Sequence, residues 1–343
     1  MAATQKIIVL RFSAMGDVAM VASVLKEFSA QNPSVEIIMV SRAAFETFFD
    51  GIPNLIFHAI HPKTTHKGID GLYKLYQELR KYKPTAIADL HDNLRSRAIS
   101  TFFRLASTKI KRIDKGRKEK NALIRASNKI FKPLKQTVER YADIFRELDF
   151  VLQLSHKLVS CPLKIPTKAN TLFKDKAGKK IGISPFAQHI YKVYPLDKME
   201  VVIANLSRLG YELFIFGGGK AEQEIAEKWS KRIPNTHNLI GNFNLKEELA
   251  IISNLDLMLS MDSSGMHMAS LMGVPVISVW GPTHPYAGFL GYGQSESDCI
   301  QINNPNRPNS IYGNKPCLCG VESCMDLINP ETIVNKIKAH LNG

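Results

Sequence analysis

The chain has 343 residues, 45% hydrophobic and 22% charged, a balance ordinary for a folded protein of about two domains. No apolar run approaches the roughly 18 residues that cross a membrane. The N-terminal run 7–10 is cut by Arg11 and is too short for a secretion signal, so a cytoplasmic protein is expected. The net charge of +14 lies wholly in the first half: residues 1–170 hold 29 basic and 15 acidic side chains, and residues 171–343 hold 16 of each. Residues 104–135 alone carry 12 basic groups against Asp114 and Glu119. Such a concentration points to an anionic partner (a phosphorylated acceptor, an acidic membrane surface or nucleic acid) or to a solvated basic loop. Phe131 is the only aromatic in that stretch, which disfavours the base-stacking expected of a single-strand binder.

In chain order, residues 7–12 are predicted as a buried strand and 17–30 as the helix after it. Strand 35–40, helix 43–49, strand 55–58, helix 71–81, strand 85–90, helix 94–104 and strand 109–113 follow. After a basic irregular stretch, 138–148 has the spacing of an amphipathic helix. Residues 151–178, with Pro162, Pro166 and Gly178, read as a domain end and linker. Alternation restarts with strand 180–184, helix 196–209, strand 213–216, helices 222–232 and 245–252, strand 255–260, a short helix and strand 275–280. Residues 303–325 read as loop and 330–341 as a terminal helix with Pro330 at its start. This β-α alternation predicts an α/β fold with two doubly wound parallel sheets facing one cleft.

Five cysteines, Cys161, Cys299, Cys317, Cys319 and Cys324, are too few and odd in number for a disulfide scaffold. The spacing Cys317-Leu-Cys319 with Cys324 fits no usual zinc pattern. No metal is expected, and the thiols read as buried or reduced.

Two turns stand out. Arg11-Phe-Ser-Ala-Met-Gly-Asp17 joins a strand to a helix, and Asp262-Ser-Ser-Gly-Met-His267 does the same near the C-terminus. A helix start offers unpaired N–H groups and the positive end of the helix dipole, which together hold phosphate. Gly217-Gly-Gly219 is a third such turn, weak by itself as a sign of a nucleotide. By position alone Asp17 reads as a helix-capping carboxylate.

The opening turn resembles the Arg-x-Ser-x-Leu-Gly-Asp segment of glycosyltransferase family 9, the bacterial lipopolysaccharide heptosyltransferases. Asp262-Ser-Ser-Gly-Met-His267, with Gly273-Val-Pro275 and Gly281-Pro-Thr283, is similar to that family's Asp-Thr-Gly/Ser-x-x-His signature and its sequel. Asp89-Leu-His-Asp-Asn-Leu-Arg95-Ser96 looks like its Asp-Leu-Gln-x-x-x-Arg-Ser segment. The chain departs at Ser263, where Thr is common, at Tyr194, where Trp is usual, and in its C-terminal cysteines.

The resemblance implies a GT-B architecture: an acceptor-binding domain over 1–165, a nucleotide-sugar-binding domain over 166–329, and a terminal helix over 330–343 that could pack back on the first. It implies an inverting transfer of heptose, or a related sugar, from an ADP-sugar to the lipopolysaccharide inner core. No metal or other cofactor is implied. Asp17 becomes the base that takes the acceptor hydroxyl proton, and its helix start should keep it ionised. Lys192 meets the leaving diphosphate, with Ser184 and Gln188 as possible helpers. Ser263, Ser264 and Gly265 add helix-start donors, Asp262 orients that turn or binds the sugar, and His267 reaches phosphate or sugar. Glu222 holds the ribose. Arg95, Arg97, Lys111, Arg112 and Arg117 are acceptor-side candidates, and Thr283 and His284 should edge the cleft. The partners implied are a nucleotide sugar and an anionic glycolipid, with peripheral contact at the inner membrane face and no nucleic acid. Alternatives are another GT-B enzyme, such as a nucleotide-sugar 2-epimerase, and a non-enzymatic anion or nucleic-acid binder.

Overall fold

The computed structural model describes residues 5–173, 178–319 and 321–342; residues 174–177, part of the expected linker, lie outside them. The chain divides into two compact units, Met1–Lys115 with Gln136–Ser155, and Gly116–Lys135 with His156–Gly343. The first unit thus ends ten residues before the expected boundary at 165, and a basic excursion belongs to the second.

The first unit runs β1 (Lys6–Leu10), α1 (Met15–Gln31), β2 (Glu36–Arg42), β3 (Leu55–Ile60), α2 (Gly68–Arg80), β4 (Ala86–Asp89), α3 (Leu94–Leu105) and β5 (Lys109–Arg112). The excursion carries α4 (Arg117–Ile124), and α5 (Thr137–Arg146) returns to the first unit. All five strands are parallel, in the order β3-β2-β1-β4-β5. A parallel sheet is covered on both faces, which is why β1 reads Lys-Ile-Ile-Val-Leu without alternation. On one face Ile8, Leu10, Ile38, Val40 and Ile87 pack with Leu72, Leu75 and Leu79 of α2 and with Ile99 and Phe103 of α3. Elsewhere α1 meets α5, where the rings of Phe28 and Phe145 lie 4.5 Å apart.

The expected helix at 43–49 is a 3-10 segment, Ala43–Phe49, with Phe45 and Phe48 buried. Their three-residue spacing suits three residues per turn. Helix α4 lies in the stretch read as irregular. Its sequence Arg-Lys-Glu-Lys-Asn-Ala-Leu-Ile is mostly polar, and only Lys120 and Leu123 are buried, so apolar periodicity could not reveal it.

The second unit continues with α6 (Asn170–Phe173), β6 (Lys180–Ser184), α7 (Leu196–Arg208), β7 (Glu212–Ile215), α8 (Lys220–Arg232), β8 (Thr236–Asn238), α9 (Leu245–Ile252), β9 (Leu257–Met261), α10 (Ser264–Leu271), β10 (Val276–Val279) and β11 (Cys299–Ile300). These strands form a second parallel sheet in the order β8-β7-β6-β9-β10-β11. Strands β8 and β11 went unpredicted because three and two residues show no period. The expected loop 303–325 contains a hairpin, β12 (Leu318–Cys319) with β13 (Glu322–Ser323). The terminal α11 (Pro330–Asn342) is accounted for within the second unit: Ile333, Val334 and Ile337 join the core that holds Val202 and Leu206 of α7.

Truncating Phe145, which is fully buried, leaves a cavity against Phe28. Phe145→Ala should destabilise the first unit by about 3–5 kcal/mol, read as an earlier urea midpoint.

Candidate functional site

Each sheet reverses its strand order at one place, between β1 and β4 and between β6 and β9. Loops leaving the carboxyl ends of such strands diverge and leave a crevice for ligands. The singled-out motifs of both units fall there.

In the first unit, Arg11 follows β1 and Leu90 follows β4. Arg11 Nη1 donates to the Leu90 carbonyl at 2.9 Å, and the Phe12 N–H donates to His91 Nδ1 at 2.9 Å. These bonds stitch the two loops together. Arg11 Nη2 lies 2.5 Å from Asp17 Oδ2. That oxygen also accepts from the Ala14 N–H at 3.3 Å, and Asp17 Oδ1 accepts from the Tyr141 hydroxyl at 3.2 Å. Asp17 is therefore not the cap residue of α1. Ala14 occupies that position, and Asp17 reaches back to it from the first turn. Both carboxylate oxygens face proton donors, so taking a proton from a substrate requires one contact to yield. His91 is buried, and its pKa is pushed down to about 3, first by burial and then by the charges of Arg11 and Lys115. It stays neutral at physiological pH.

Asp89 is fully buried at the end of β4. Its Oδ1 accepts from the His91 and Asp92 amides at 3.1 and 2.9 Å, and its Oδ2 from Ser96 Oγ and Arg112 Nε, each at 3.0 Å. This network shapes the 89–96 segment. Arg112 pairs with Asp89, Arg97 with Asp92 at 2.7 Å, and Lys111 with Glu147 at 3.4 Å. Arg95 is exposed, with no hydrogen-bond or ion-pair partner among the described residues. Arg117 is exposed at the start of α4, in the second unit.

In the second unit, Lys192 Nζ sits 3.0 Å from Asp262 Oδ2, with both side chains mostly buried. Lys192 comes from the loop after β6 and Asp262 from the end of β9, so this pair bridges the second reversal point. Ser263 is the N-cap of α10, and its hydroxyl makes no capping bond to the first-turn N–H groups, the kind of donors that hold an anion at a helix start. Gly265 has a packing role, because a Cβ there would come within 2.3 Å of Ser184 Oγ. That contact seats α10 on the end of β6. His267 is buried one turn into α10. Glu222 Oε2 accepts from the Gly218 N–H at 2.7 Å, which fixes it over the glycine turn before α8. Gln188 is exposed.

Two residues position Lys192: Tyr194, which the sequence marked only as a departure from the family pattern, and Gly313, which it did not mark. Tyr194 is buried and donates to the Ile328 carbonyl at 2.7 Å, anchoring the lysine loop. Burial, then the carboxylates of Asp197 and Asp326, push its pKa up to about 12. Gly313 has φ +75°, and a Cβ there would come within 2.2 Å of Lys192 Cγ and Cδ. It is the floor on which the lysine stem lies. Thr283 and His284, expected to edge the cleft, are buried. His284 Nδ1 accepts from the Tyr286 N–H at 3.1 Å, and its ring packs on Phe131 and Tyr286. Cys317 and Cys324, expected as buried or reduced thiols, are buried and form a disulfide, because the hairpin brings them face to face.

A model of glycosyltransferase family 9 (heptosyltransferase) matches residues 72–314, about two thirds of the chain and parts of both units. The chain belongs to glycosyltransferase family 9. The match takes in Asp89, Lys192, Glu222 and Asp262–His267, and begins after Asp17. The glycosyltransferase is 27% identical over 286 residues to the lipopolysaccharide core heptosyltransferase OpsX of Haemophilus influenzae, covering 82% of this chain and 81% of the relative. Its fold is similar to a family 9 glycosyl transferase from Veillonella parvula, with a TM-score of 0.76, 17% identity, and coverage of 99% and 98% of the two chains. E. coli heptosyltransferase WaaC with ADP gives a TM-score of 0.69 at 16% identity, over 98% and 100%. The two parallel-sheet units are those of the GT-B fold, as expected.

His284 is pushed down to about 4, first by burial and then by Arg307 and Lys129. Unfolding frees this imidazole to bind a proton near its ordinary 6.5, so the folded state loses stability as pH falls from 6.5 toward 4. Glu248, raised to about 7 by burial, acts in the opposite sense, so a difference between variants is the clean readout. His284→Gln should flatten the acid limb of a melting-temperature profile between pH 6.5 and 4; an unchanged slope contradicts the assignment.

Proposed function

We propose that the glycosyltransferase moves heptose from ADP-heptose to the lipopolysaccharide inner core with inversion at the anomeric carbon. The observation that carries this reading is the Lys192–Asp262 pair beside the uncapped start of α10. A mostly buried ammonium lies on Asp262, next to the start of α10 and the positive end of its dipole, at the reversal point of the second sheet. That combination suits a diphosphate leaving group, because fixed positive charge and dipoles stabilise the negative charge that develops as the sugar–phosphate bond breaks. Asp262 holds the lysine in place until the diphosphate shares it. Glu222, fixed by the Gly218 amide, is placed to accept from a ribose hydroxyl.

In the transfer, the acceptor hydroxyl oxygen bonds to the anomeric carbon from the face opposite the diphosphate. The bond to the diphosphate breaks, and ADP departs with the electron pair. The hydroxyl proton passes to Asp17, whose carboxylate Arg11 and Tyr141 orient. Lys192 and the dipole of α10 supply the positive charge, so the reading needs no metal at this step. The family match and the relationship to OpsX support heptose and a lipopolysaccharide core acceptor. The acceptor is read as an anionic glycolipid because the whole charge excess lies in residues 1–170. No helix among the described residues is long and apolar enough to cross a membrane. In this reading the protein works in the cytoplasm and meets the membrane peripherally.

Asp17→Asn keeps the shape but removes the base. It should lower kcat by roughly 100-fold or more while calorimetric ADP-heptose binding stays within about twofold. Full activity in this variant removes the base assignment, and binding of a different nucleotide sugar in place of ADP-heptose removes the donor. Gly313→Ala should displace the Lys192 stem and cut kcat/KM on the order of 10–100-fold, most of it in donor affinity. A variant with unchanged donor affinity would show that the lysine is not held from Gly313.

A further inference from the structure

A second cluster of reactive side chains lies outside this machinery, in the β12–β13 hairpin. Cys317 immediately precedes β12 and Cys319 ends it, two residues apart, a spacing that in extended chain puts both on one face. The hairpin sets Cys324 opposite Cys317, with the Cys324 N–H donating to the Cys317 carbonyl at 2.9 Å. Cys317 and Cys324 are bonded, and Cys319 Sγ lies 3.3 Å from Cys324 Sγ. All three sulfurs lie within 4.8 Å of one another. A tetrahedral metal with bonds of about 2.3 Å to sulfur spaces its sulfurs about 3.8 Å apart, so the hairpin presents one triangular face of such a site.

The surroundings supply an independent sign. Arg307 is buried, yet its guanidinium meets only neutral acceptors: the carbonyls of Trp280, Gly281, Ile302 and Thr283, and Gln301 Oε1. Lys129 Nζ likewise rests on the carbonyls of Pro305, Arg307 and Pro308. A buried cation with no carboxylate beside it among the described residues, as Arg307 is, is costly. Three thiolates around a divalent ion carry one net negative charge, which is what this corner lacks. A cavity of about 240 Å³ bordered by Cys317, Cys324, Ser323 and Asp326 gives a fourth ligand, such as water, room to enter.

We propose that Cys317, Cys319 and Cys324 bind one soft divalent metal ion of the zinc class when the chain is reduced. The disulfide is the oxidised, metal-free form of the same hairpin. A dithiol supplies two electrons and two protons to convert the disulfide to two thiols and is itself oxidised to a cyclic disulfide. The metal then displaces three protons to solvent as three metal–sulfur bonds form. The same cavity is bordered by Tyr191, Val193 and Tyr194, so the metal would brace the hairpin beside the loop that carries Lys192. Its part is structural, and it does not depend on which sugar is transferred.

The test uses the full chain treated with dithiothreitol and titrated anaerobically with cobalt(II), then with zinc. Thiol titration first confirms that all five cysteines are free. We expect one cobalt per chain with an intense near-ultraviolet thiolate band and the visible bands of tetrahedral cobalt, displaced by one zinc. Cys319→Ser should weaken binding on the order of 100-fold, whereas Cys161→Ser, at an exposed thiol outside the cluster, should leave it unchanged. If Cys319→Ser does not fold, the wild-type spectrum decides alone. A reduced chain without the tetrahedral thiolate spectrum, a hairpin that dithiothreitol cannot reduce, or a Cys319→Ser variant that binds as tightly as wild type each overturns the proposal. None of these outcomes bears on the donor or base assignments.

Discussion

A parallel sheet whose strand order reverses in the middle forces the chain to leave one gap at its carboxyl edge. Connections to the left of the reversal cover one face and those to the right cover the other, so the two central loops part. This chain makes that gap twice, beside β1 and β4 and beside β6 and β9. Apolar strands that read as continuous hydrophobic runs deliver polar loops to the same edge. Arg11, Asp17 and His91 meet at the first gap, and Lys192, Asp262 and Ser263 at the second.

The charges at these gaps are organised by pairing. Asp89 with Arg112, Asp17 with Arg11, and Asp262 with Lys192 are ion pairs at least partly withdrawn from water. Such pairs are weak contributors to stability, because desolvation cancels much of the attraction. Their value here is orientation, since each fixes a loop that would otherwise sample many conformers. The Arg307 corner departs from that pattern, because its cation is surrounded by carbonyls.

Packing constrains the donor-side turn as closely as charge does. Gly265 allows α10 to sit on Ser184, and Gly313 allows the Lys192 stem to lie flat. Tyr194, where the family commonly has Trp, keeps a polar tip and spends it on the Ile328 carbonyl. The substitution therefore keeps the loop anchored.

The sequence by itself determined the two α/β halves, most of the long elements and the family, because those follow from local period and from short motifs. It also marked Asp17, Lys192, Glu222 and Asp262, since each lies within or beside a turn whose chemistry is local. Only the tertiary structure decided what each of these groups touches. Tyr141 reaches Asp17 across 124 residues, and Gly313 supports Lys192 from a stretch that reads as featureless loop. Only the fold showed that Arg112, Arg97 and Lys111, the acceptor-side candidates, each have a carboxylate beside them. Short strands, the charged helix α4 and the cysteine face of the hairpin were invisible for the same reason. Their partners are set by non-local packing, which leaves no period in the chain.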